Sequence, residues 1–206
     1  MTKYILHYFP LNGRGLVPRA ILSYKNIEWT NDLIKFEEWP SIKKSGLCEY
    51  EQVPILEVGD KKFSQSYAID LYLAETFNLM GKNPEENYQI TNLLMSLEDF
   101  LAPINKILYG EKSDNKEELL KKAGEKVKFF AQKFEKKYIE LGKGKYFLGD
   151  KITLADIILG TGITEAINRG GIKDFPWKEI APNLEQLIKR VQENELKEFF
   201  EKYYFK

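Results

Sequence analysis

Apolar residues first cluster near the start of the chain, where a strand pattern gives way to a helical one. Residues 3–9 are rich in β-branched and aromatic side chains, which is typical of a short strand. Pro10, Gly13 and Gly15 then interrupt the run, because Pro donates no ladder hydrogen bond and Gly permits backbone angles that other residues avoid. Across residues 16–24 the apolar side chains recur at helical spacing. The pattern therefore predicts a strand, a sharp turn and a helix.

Up to residue 77 the pattern keeps alternating between strand-like and helix-like stretches. Two β-rich runs on either side of Gly59-Asp60 predict a hairpin, because this dipeptide is a turn signal in that setting. Ser66 precedes apolar residues at helical spacing and is a candidate N-cap. The predicted elements are strand 3–9, helix 16–24, strand 27–34, a short helix or loop at 39–46, strands 53–58 and 61–64, and helix 66–77. This β-α-β-α-β-β-α order is that of a thioredoxin-like domain.

A polar stretch with Gly and Pro, residues 78–86, predicts a linker, and every pattern after it is helical. Apolar residues there step by three and four, as amphipathic helices require. The predicted helices cover 90–108, 119–138, 154–166 and 184–191, and an aromatic segment follows at 199–205. We therefore expect an α/β thioredoxin-like domain at 1–79, followed by an all-α helical domain at 80–206.

One helix of the second half carries a specific start signal. Thr153 precedes its apolar run, and Asp156 lies three residues further on, which is an Asp variant of the capping box. The residues that follow are apolar on most sides, so this helix is expected to be central and buried. The motif predicts a structural role rather than a site.

Composition narrows the function classes. The chain of 206 residues has 31 basic and 31 acidic side chains, and this balance gives no global field that would favour nucleic acid or acidic membranes. One cysteine cannot form an internal disulfide, and one histidine with one cysteine weighs against a His/Cys metal site. No long apolar run and no N-terminal signal segment is apparent in the sequence, so we expect a cytoplasmic protein.

The opening turn holds the first candidate for chemistry. Tyr8 is predicted near the strand end, close to a helix N-terminus whose unpaired N–H groups favour negative charge. A phenol there can donate a hydrogen bond to an anion, and Arg14 adds positive potential. The alternative, equally open on this stretch alone, is that Tyr8 is a core residue with a satisfied hydroxyl.

Five motifs in order, together with the two-domain pattern, carry a family resemblance. They are Tyr8-Phe9 followed by Gly13-Arg14-Gly15, Trp39 with Lys43, Gln52-Val53-Pro54-Ile55-Leu56, Gln65-Ser66-Tyr67-Ala68-Ile69, and the segment GDKITLAD at 149–156. The chain resembles the cytosolic glutathione S-transferases over nearly its whole length. It is most similar to the sigma class, which includes glutathione-dependent prostaglandin D synthases.

The resemblance implies a detoxification enzyme, a homodimer that uses glutathione as co-substrate without a metal and conjugates it to small hydrophobic electrophiles. Tyr8 would hydrogen-bond the glutathione sulfur and favour the thiolate, with Arg14 adding positive charge. A cysteine-like thiol has a pKa of about 8.5, so ionisation at neutral pH needs a shift of roughly two units, or about 2.7 kcal/mol. A hydrogen bond to a charged group supplies about 1.5–3 kcal/mol and a helix N-terminus about 0.3–1 kcal/mol. Together, the hydrogen bond and the helix N-terminus are sufficient in magnitude for this shift in the thiol pKa.

The remaining glutathione contacts also follow from the resemblance. The implied binding residues are Trp39 and Lys43 for the glycine carboxylate, Gln52, Val53 and the cis-proline turn at Pro54 for the cysteinyl part, Gln65 and Ser66 for the γ-glutamyl end, and Asp99 from across a dimer interface. Because ligands generally prefer clefts between domains, the acceptor is expected there, lined partly by Phe9, Leu16, Leu108, Tyr109 and the aromatic C-terminal segment. Alternatives remain open, because Trp39 could pack on the sheet, Lys43 could be solvated and Asp99 could be ordinary exposed helix charge.

Some features separate this chain from the family pattern. Leu16 stands where many relatives have an acid, and only part of an acidic cluster remains near Asp99, which weakens the expectation of divalent-cation activation and of prostaglandin synthesis. The alternatives to the transferase are a glutathione-dependent prostaglandin isomerase and a non-enzymatic, crystallin-like binding protein. Cys48 is interpreted as an incidental thiol, and His7 as a structural or exposed residue on the strand face opposite Tyr8.

Overall fold

The computed structural model of the chain describes residues 2–109, 115–169 and 175–205, and the side chains of residues 100, 108 and 109 lie outside this description. The chain divides into two units, one made of Met1–Leu79 with Asn194–Lys206 and the other of Met80–Glu193. The first unit contains the sheet, and the second is helical. The predicted fold class, a thioredoxin-like domain followed by helices, is confirmed.

The sheet of the first unit has four strands. They are β1 (Tyr4–Tyr8), β2 (Trp29–Leu33), β3 (Ile55–Val58) and β4 (Lys61–Ser64), arranged in the order β2-β1-β3-β4. Strand β1 pairs in parallel with β2 and antiparallel with β3, which pairs antiparallel with β4. In this register Tyr8 lies opposite Leu33, at the end of the central strand where the chain leaves the sheet.

Helices account for most of the other described residues. They are α1 (Leu16–Tyr24), α2 (Trp39–Lys43), α3 (Ser66–Thr76), α4 (Pro84–Tyr109), α5 (Lys116–Glu140), α6 (Leu154–Ile158), α7 (Thr164–Arg169), α8 (Trp177–Ile180), α9 (Pro182–Glu193) and α10 (Lys197–Lys202). Within the first unit, α1 packs against both α3 and α10. Its residues from Leu16 to Ser23 are all buried, so the helix is central in that unit.

The structure differs from the sequence expectation in three places. Residues 194–205 group with the sheet unit, although the expected helical domain ran from 80 to 206. The predicted N-cap at Ser66 is wrong, because α3 begins at Ser66 itself and Gln65 occupies the cap position. The helix predicted across 154–166 contains a wide π-helical segment, Leu159–Ile163, between α6 and α7. Within it, Gly162 lets Leu97 approach closely, since a Cβ there would lie 2.9 Å from Leu97 Cδ2.

The predicted capping box is confirmed. Asp156 Oδ2 accepts hydrogen bonds from the Thr153 N–H at 2.8 Å and from the Thr153 hydroxyl at 3.0 Å. Its Oδ1 accepts a third from the Phe147 N–H at 2.7 Å. Burial raises the pKa of this carboxyl to about 6, although these hydrogen bonds favour the charged form. Asp156 thus joins the start of α6 to the preceding loop.

Across the ranges that the structure describes, no helix combines the length and the apolar character needed to cross a membrane.

Candidate active site

The turn between β1 and α1 holds the Tyr8 side chain. Tyr8 is 7% exposed, and its hydroxyl oxygen accepts a hydrogen bond from the backbone N–H of Arg14 at 2.9 Å. Two glycines make room for it. A Cβ on Gly13 would lie 2.7 Å from the Tyr8 hydroxyl, and one on Gly15 would lie 2.6 Å from Tyr8 Cδ1. Gly13 also has φ of +41°, in the left-handed region that favours glycine.

This arrangement puts a phenol oxygen at the start of a helix. Gly13–Gly15 form a 3₁₀ turn that leads directly into α1. Accepting the Arg14 N–H does not use the phenol's own proton, so the same hydroxyl is chemically able to donate to an anion. The accepted bond also polarises the O–H group, because hydrogen bonds in a chain strengthen one another. The turn can therefore stabilise negative charge near Tyr8.

Arg14 is associated with the first turns of α3. Its guanidinium carbon lies 5.4 Å from the centroid of the Tyr67 ring, within the range of a cation–π contact. The positive charge of Arg14 also acts on Asp70, which is 2% exposed. Burial raises the pKa of the Asp70 carboxyl well above its ordinary value, and the charge of Arg14 opposes that rise. In the described part of the chain, Asp70 Oδ1 has no hydrogen-bond partner.

Arg19 is a fully buried cation on α1 that the sequence patterns did not single out. Its guanidinium donates to the Phe9 carbonyl at 2.9 Å, to the Leu11 carbonyl at 2.7 Å and to Asn31 Oδ1 at 3.0 Å. Its central carbon lies 5.5 Å from the Tyr8 ring centroid. Burial lowers the pKa of Arg19 to about 10, so the group stays charged at neutral pH. Arg19 therefore holds two backbone carbonyls of the turn beside Tyr8.

Helix α2 carries the predicted pair Trp39 and Lys43. The Trp39 ring packs edge-on against Phe9, with centroids 5.4 Å apart, and Phe9 stacks on Phe36 at 4.9 Å. Trp39 thus lies in an aromatic cluster that includes the residue after Tyr8. Lys43 is partly exposed and pairs with Glu51 at 3.6 Å between Nζ and Oε2. Both side chains of the pair have a protein partner, and neither is simply solvated.

The other predicted glutathione contacts flank the β3–β4 hairpin. The Val53–Pro54 peptide bond is cis, as the motif implied, and Gln52 before it is exposed. On the far side, Gln65 is exposed with φ of +70°, a left-handed conformation that is uncommon for a residue other than glycine. Ser66 follows as the first residue of α3 and is 7% exposed. Such non-glycine outliers concentrate at binding sites.

The remaining predicted residues are Asp99 and the four expected acceptor residues. Asp99 is exposed on α4, in the helical unit. Of the four expected acceptor residues, Phe9 belongs to the aromatic cluster and Leu16 is only 2% exposed. The side chains of Leu108 and Tyr109 lie outside the described part of the chain.

The chain has one cysteine and one histidine, and both lie outside the turn between β1 and α1. Cys48 is 5% exposed, and burial raises the pKa of its thiol, which disfavours a reactive thiolate. His7 is buried, and its Nδ1 lies 2.6 Å from Asp32 Oδ2 on the neighbouring strand. Over residues 2–109, 115–169 and 175–205, no group of three or more His, Cys, Asp or Glu is placed to hold a metal ion.

Comparison with known proteins gives consistent matches over both units. Family models described as the N-terminal and C-terminal domains of glutathione S-transferase match residues 4–75 and 98–203. A glutathione S-transferase of Anopheles gambiae is 31% identical over 95% of this chain and 93% of its own length. A probable glutathione S-transferase 6 of Caenorhabditis elegans is 29% identical over 82% of both chains. The solved structure of prostaglandin synthase D of Nilaparvata lugens has a TM-score of 0.83 and 29% identity, covering 99% of this chain and 100% of that one.

Proposed function

This chain belongs to the glutathione S-transferase family and is a glutathione transferase, and we propose that Tyr8 activates the thiol of glutathione for attack on small hydrophobic electrophiles. The observation that carries the proposal is the Tyr8 hydroxyl at the start of α1, held by the Arg14 N–H at 2.9 Å. The Tyr8 hydroxyl donates a hydrogen bond to the sulfur, whose own proton is released to solvent, so the sulfur stays a thiolate. The thiolate is the attacking species, so a larger thiolate fraction at neutral pH means a faster reaction.

The charges around the turn favour the thiolate. Arg14 lies in the turn itself, and Arg19 is a buried cation close to the Tyr8 ring. A hydrogen bond to a charged group contributes about 1.5–3 kcal/mol, against the roughly 2.7 kcal/mol that a two-unit fall in thiol pKa requires. Tyr8 must remain a neutral donor, because a phenolate would repel the sulfur anion. No separate base or metal is needed for this step.

The tripeptide is held by groups on both sides of Tyr8. Trp39 and Lys43 bind the glycine carboxylate through an indole N–H and an ammonium. Val53, beside the cis bond to Pro54, offers its backbone to the cysteinyl part, and Gln52 supports that segment. The γ-glutamyl end binds Gln65 and Ser66. The exposed side chain and left-handed backbone of Gln65, and the position of both residues at the start of α3, support this assignment.

Finer features of the proposal come from the sequence resemblance. The enzyme is of the sigma class, acts in detoxification in the cytoplasm, works without a metal and forms a homodimer in which Asp99 of one protomer reaches the γ-glutamyl ammonium bound to its partner. Phe9, Leu16, Leu108 and Tyr109 contribute to acceptor binding. Sedimentation of the purified protein at several concentrations tests the dimer, and a monomer at all of them would contradict it.

A second candidate is supported by the similarity to prostaglandin synthase D. A glutathione-dependent prostaglandin isomerase would use the same thiolate and differ only in its acceptor. The two functions share every proposed glutathione contact, so only the product formed from each acceptor separates them.

The proposal is tested by turnover with glutathione and two acceptors, a chromogenic aryl halide and a prostaglandin endoperoxide. S-methylglutathione, which has no free thiol, is the matched control. We expect the enzyme to form a thioether product from the aryl halide with glutathione and no such product with S-methylglutathione. Formation of prostaglandin without a thioether would favour the isomerase. Binding of glutathione without any product would contradict both and leave a non-enzymatic binding protein.

A further inference from the structure

The residues just after α10 are joined to the turn that carries Tyr8. The Asn12 side chain donates from Nδ2 to the Phe205 carbonyl at 2.6 Å, and its Oδ1 accepts the Phe205 N–H at 2.9 Å. Asn12 is 6% exposed, so this two-bond pair is shielded from water. Such a reciprocal pair fixes both segments, since moving either one leaves a buried amide group without its partner.

Arg19 makes a second connection between the same parts. Its guanidinium carbon lies 4.9 Å from the Phe205 ring centroid and 5.5 Å from that of Tyr8. The same guanidinium donates to the carbonyls of Phe9 and Leu11, on the two sides of Pro10. Phe205 thus covers the cation that holds the turn. A nearby ring contact, Trp29 with Tyr203 at 4.9 Å, joins the segment to β2 as well.

We propose that residues 203–205, through Asn12 and Arg19, position the turn for thiol activation, and that Asn12 is a positioning residue for Tyr8. This inference rests on the proposed function of Tyr8. The hydroxyl of Tyr8 is held by the Arg14 N–H, two residues beyond Asn12 in the same turn. A displacement of the turn therefore moves the donor away from the sulfur, and small misplacements of reacting groups have large effects on rate.

The connection could instead serve packing alone, and the two roles give different results. If the connection serves packing alone, a substitution there lowers the stability of the chain but leaves the thiol pKa of bound glutathione unchanged in the molecules that remain folded. If the connection positions the turn, the same substitution raises that thiol pKa. Thiolate absorbance of the glutathione complex, followed against pH below the unfolding temperature, measures the difference directly.

The experiment compares the wild type with Asn12→Ala, Phe205→Leu, Tyr8→Phe and a matched control, Asn87→Ala. Asn87 also accepts a backbone N–H, that of Gly81 at 2.8 Å, and belongs to the helical unit. We expect Asn12→Ala to raise the thiol pKa by about half a unit, which lowers the thiolate fraction by about threefold at pH values well below that pKa. Phe205→Leu, which keeps both backbone bonds to Asn12, should raise it less, and Asn87→Ala should not change it. The conjugation rate should fall with the thiolate, while the KM for glutathione changes little.

The outcomes separate this inference from the proposed function. If Tyr8→Phe raises the thiol pKa and neither Asn12→Ala nor Phe205→Leu does, the 203–205 segment has only a packing role. If Tyr8→Phe leaves the pKa unchanged, the proposed function itself fails. Should Asn12→Ala not fold, Phe205→Leu decides alone, and an unchanged titration in that variant overturns the inference.

Discussion

Individual side chains near Tyr8 show which parts of the site the sequence could reveal. Tyr8 and Arg14 follow from a strand, a Gly-punctuated turn and a helix start, and the structure brings the two together. Arg19 was not predicted, although a charged residue inside the apolar pattern of α1 is a signal that could have revealed it. Asn12 and Phe205 could not be paired from sequence, because nothing local connects residues separated by most of the chain.

The buried carboxyl of Asp70 leads to a prediction about how stability varies with pH. Its folded pKa is raised above the ordinary, unfolded value of about 3.9. Its contribution to stability is therefore fully present below that value and is lost as pH rises towards the folded pKa, because the unfolded chain releases the proton first. Asp70→Asn should make the protein more stable than wild type at neutral pH, with an advantage that shrinks as pH falls towards 4.

Urea unfolding of both proteins across this pH range measures the effect. Asp60→Asn, on the exposed hairpin turn, is the control and should show no such pH-dependent difference. A variant that is less stable than wild type at neutral pH, or a difference that does not vary with pH, would contradict the account of Asp70.

At the scale of elements, local signals predicted most of what the structure shows. The four strands, the hairpin and the capping box of α6 were predicted because each depends on neighbouring residues. The N-cap of α3 was misplaced because Gln65 adopts a left-handed backbone that its residue type does not indicate. In the π-helical segment after α6, Gly162 packs closely against Leu97, a long-range contact that no local pattern encodes.

The turn before α1 gives a prediction about an element. Gly13→Ala would place a Cβ against the Tyr8 hydroxyl, at a backbone angle that alanine rarely adopts. We expect the thiol pKa of bound glutathione to rise and conjugation to fall by about tenfold, a loss of about 1.4 kcal/mol of transition-state stabilisation.

Gly46→Ala is the matched control for the turn. Gly46 also has a left-handed φ, of +80°, but a Cβ there would meet no atom within 4 Å. This variant should lose stability through backbone strain without a change in the thiol pKa. Equal effects of the two substitutions on conjugation would show that the contact with Tyr8 is unimportant.

For the whole molecule, the two-domain pattern was visible in the sequence but the path of the chain was not. The change from alternating to purely helical patterns indicated a boundary near residue 79, where the first unit's N-terminal part ends. The return of residues 194–205 to that unit depends on long-range packing, as in the contacts of α10 with α1. Helical periodicity predicts which face of α10 is apolar, but not which unit covers it.

A substitution at Phe199 tests whether residues 194–205 belong to the unit that contains the sheet. Phe199 is 1% exposed on α10, so Phe199→Ala should destabilise the protein by about 3 kcal/mol or more through the cavity that it leaves. Hydrogen exchange should accelerate in α1 and β1 more than in α4 and α5. Phe200→Ala, at a half-buried neighbour, should have a smaller effect. Faster exchange confined to α10 itself would contradict the grouping.

The central claim is that the Tyr8 hydroxyl stabilises the glutathione thiolate, and a pH titration of thiolate absorbance tests it most directly. In the wild-type complex the thiol should titrate about two units below free glutathione. Tyr8→Phe should raise that pKa and lower conjugation at least about tenfold, with glutathione affinity little changed, because the lost hydrogen bond acts on the charged sulfur. Identical titration curves for the two proteins would contradict the claim.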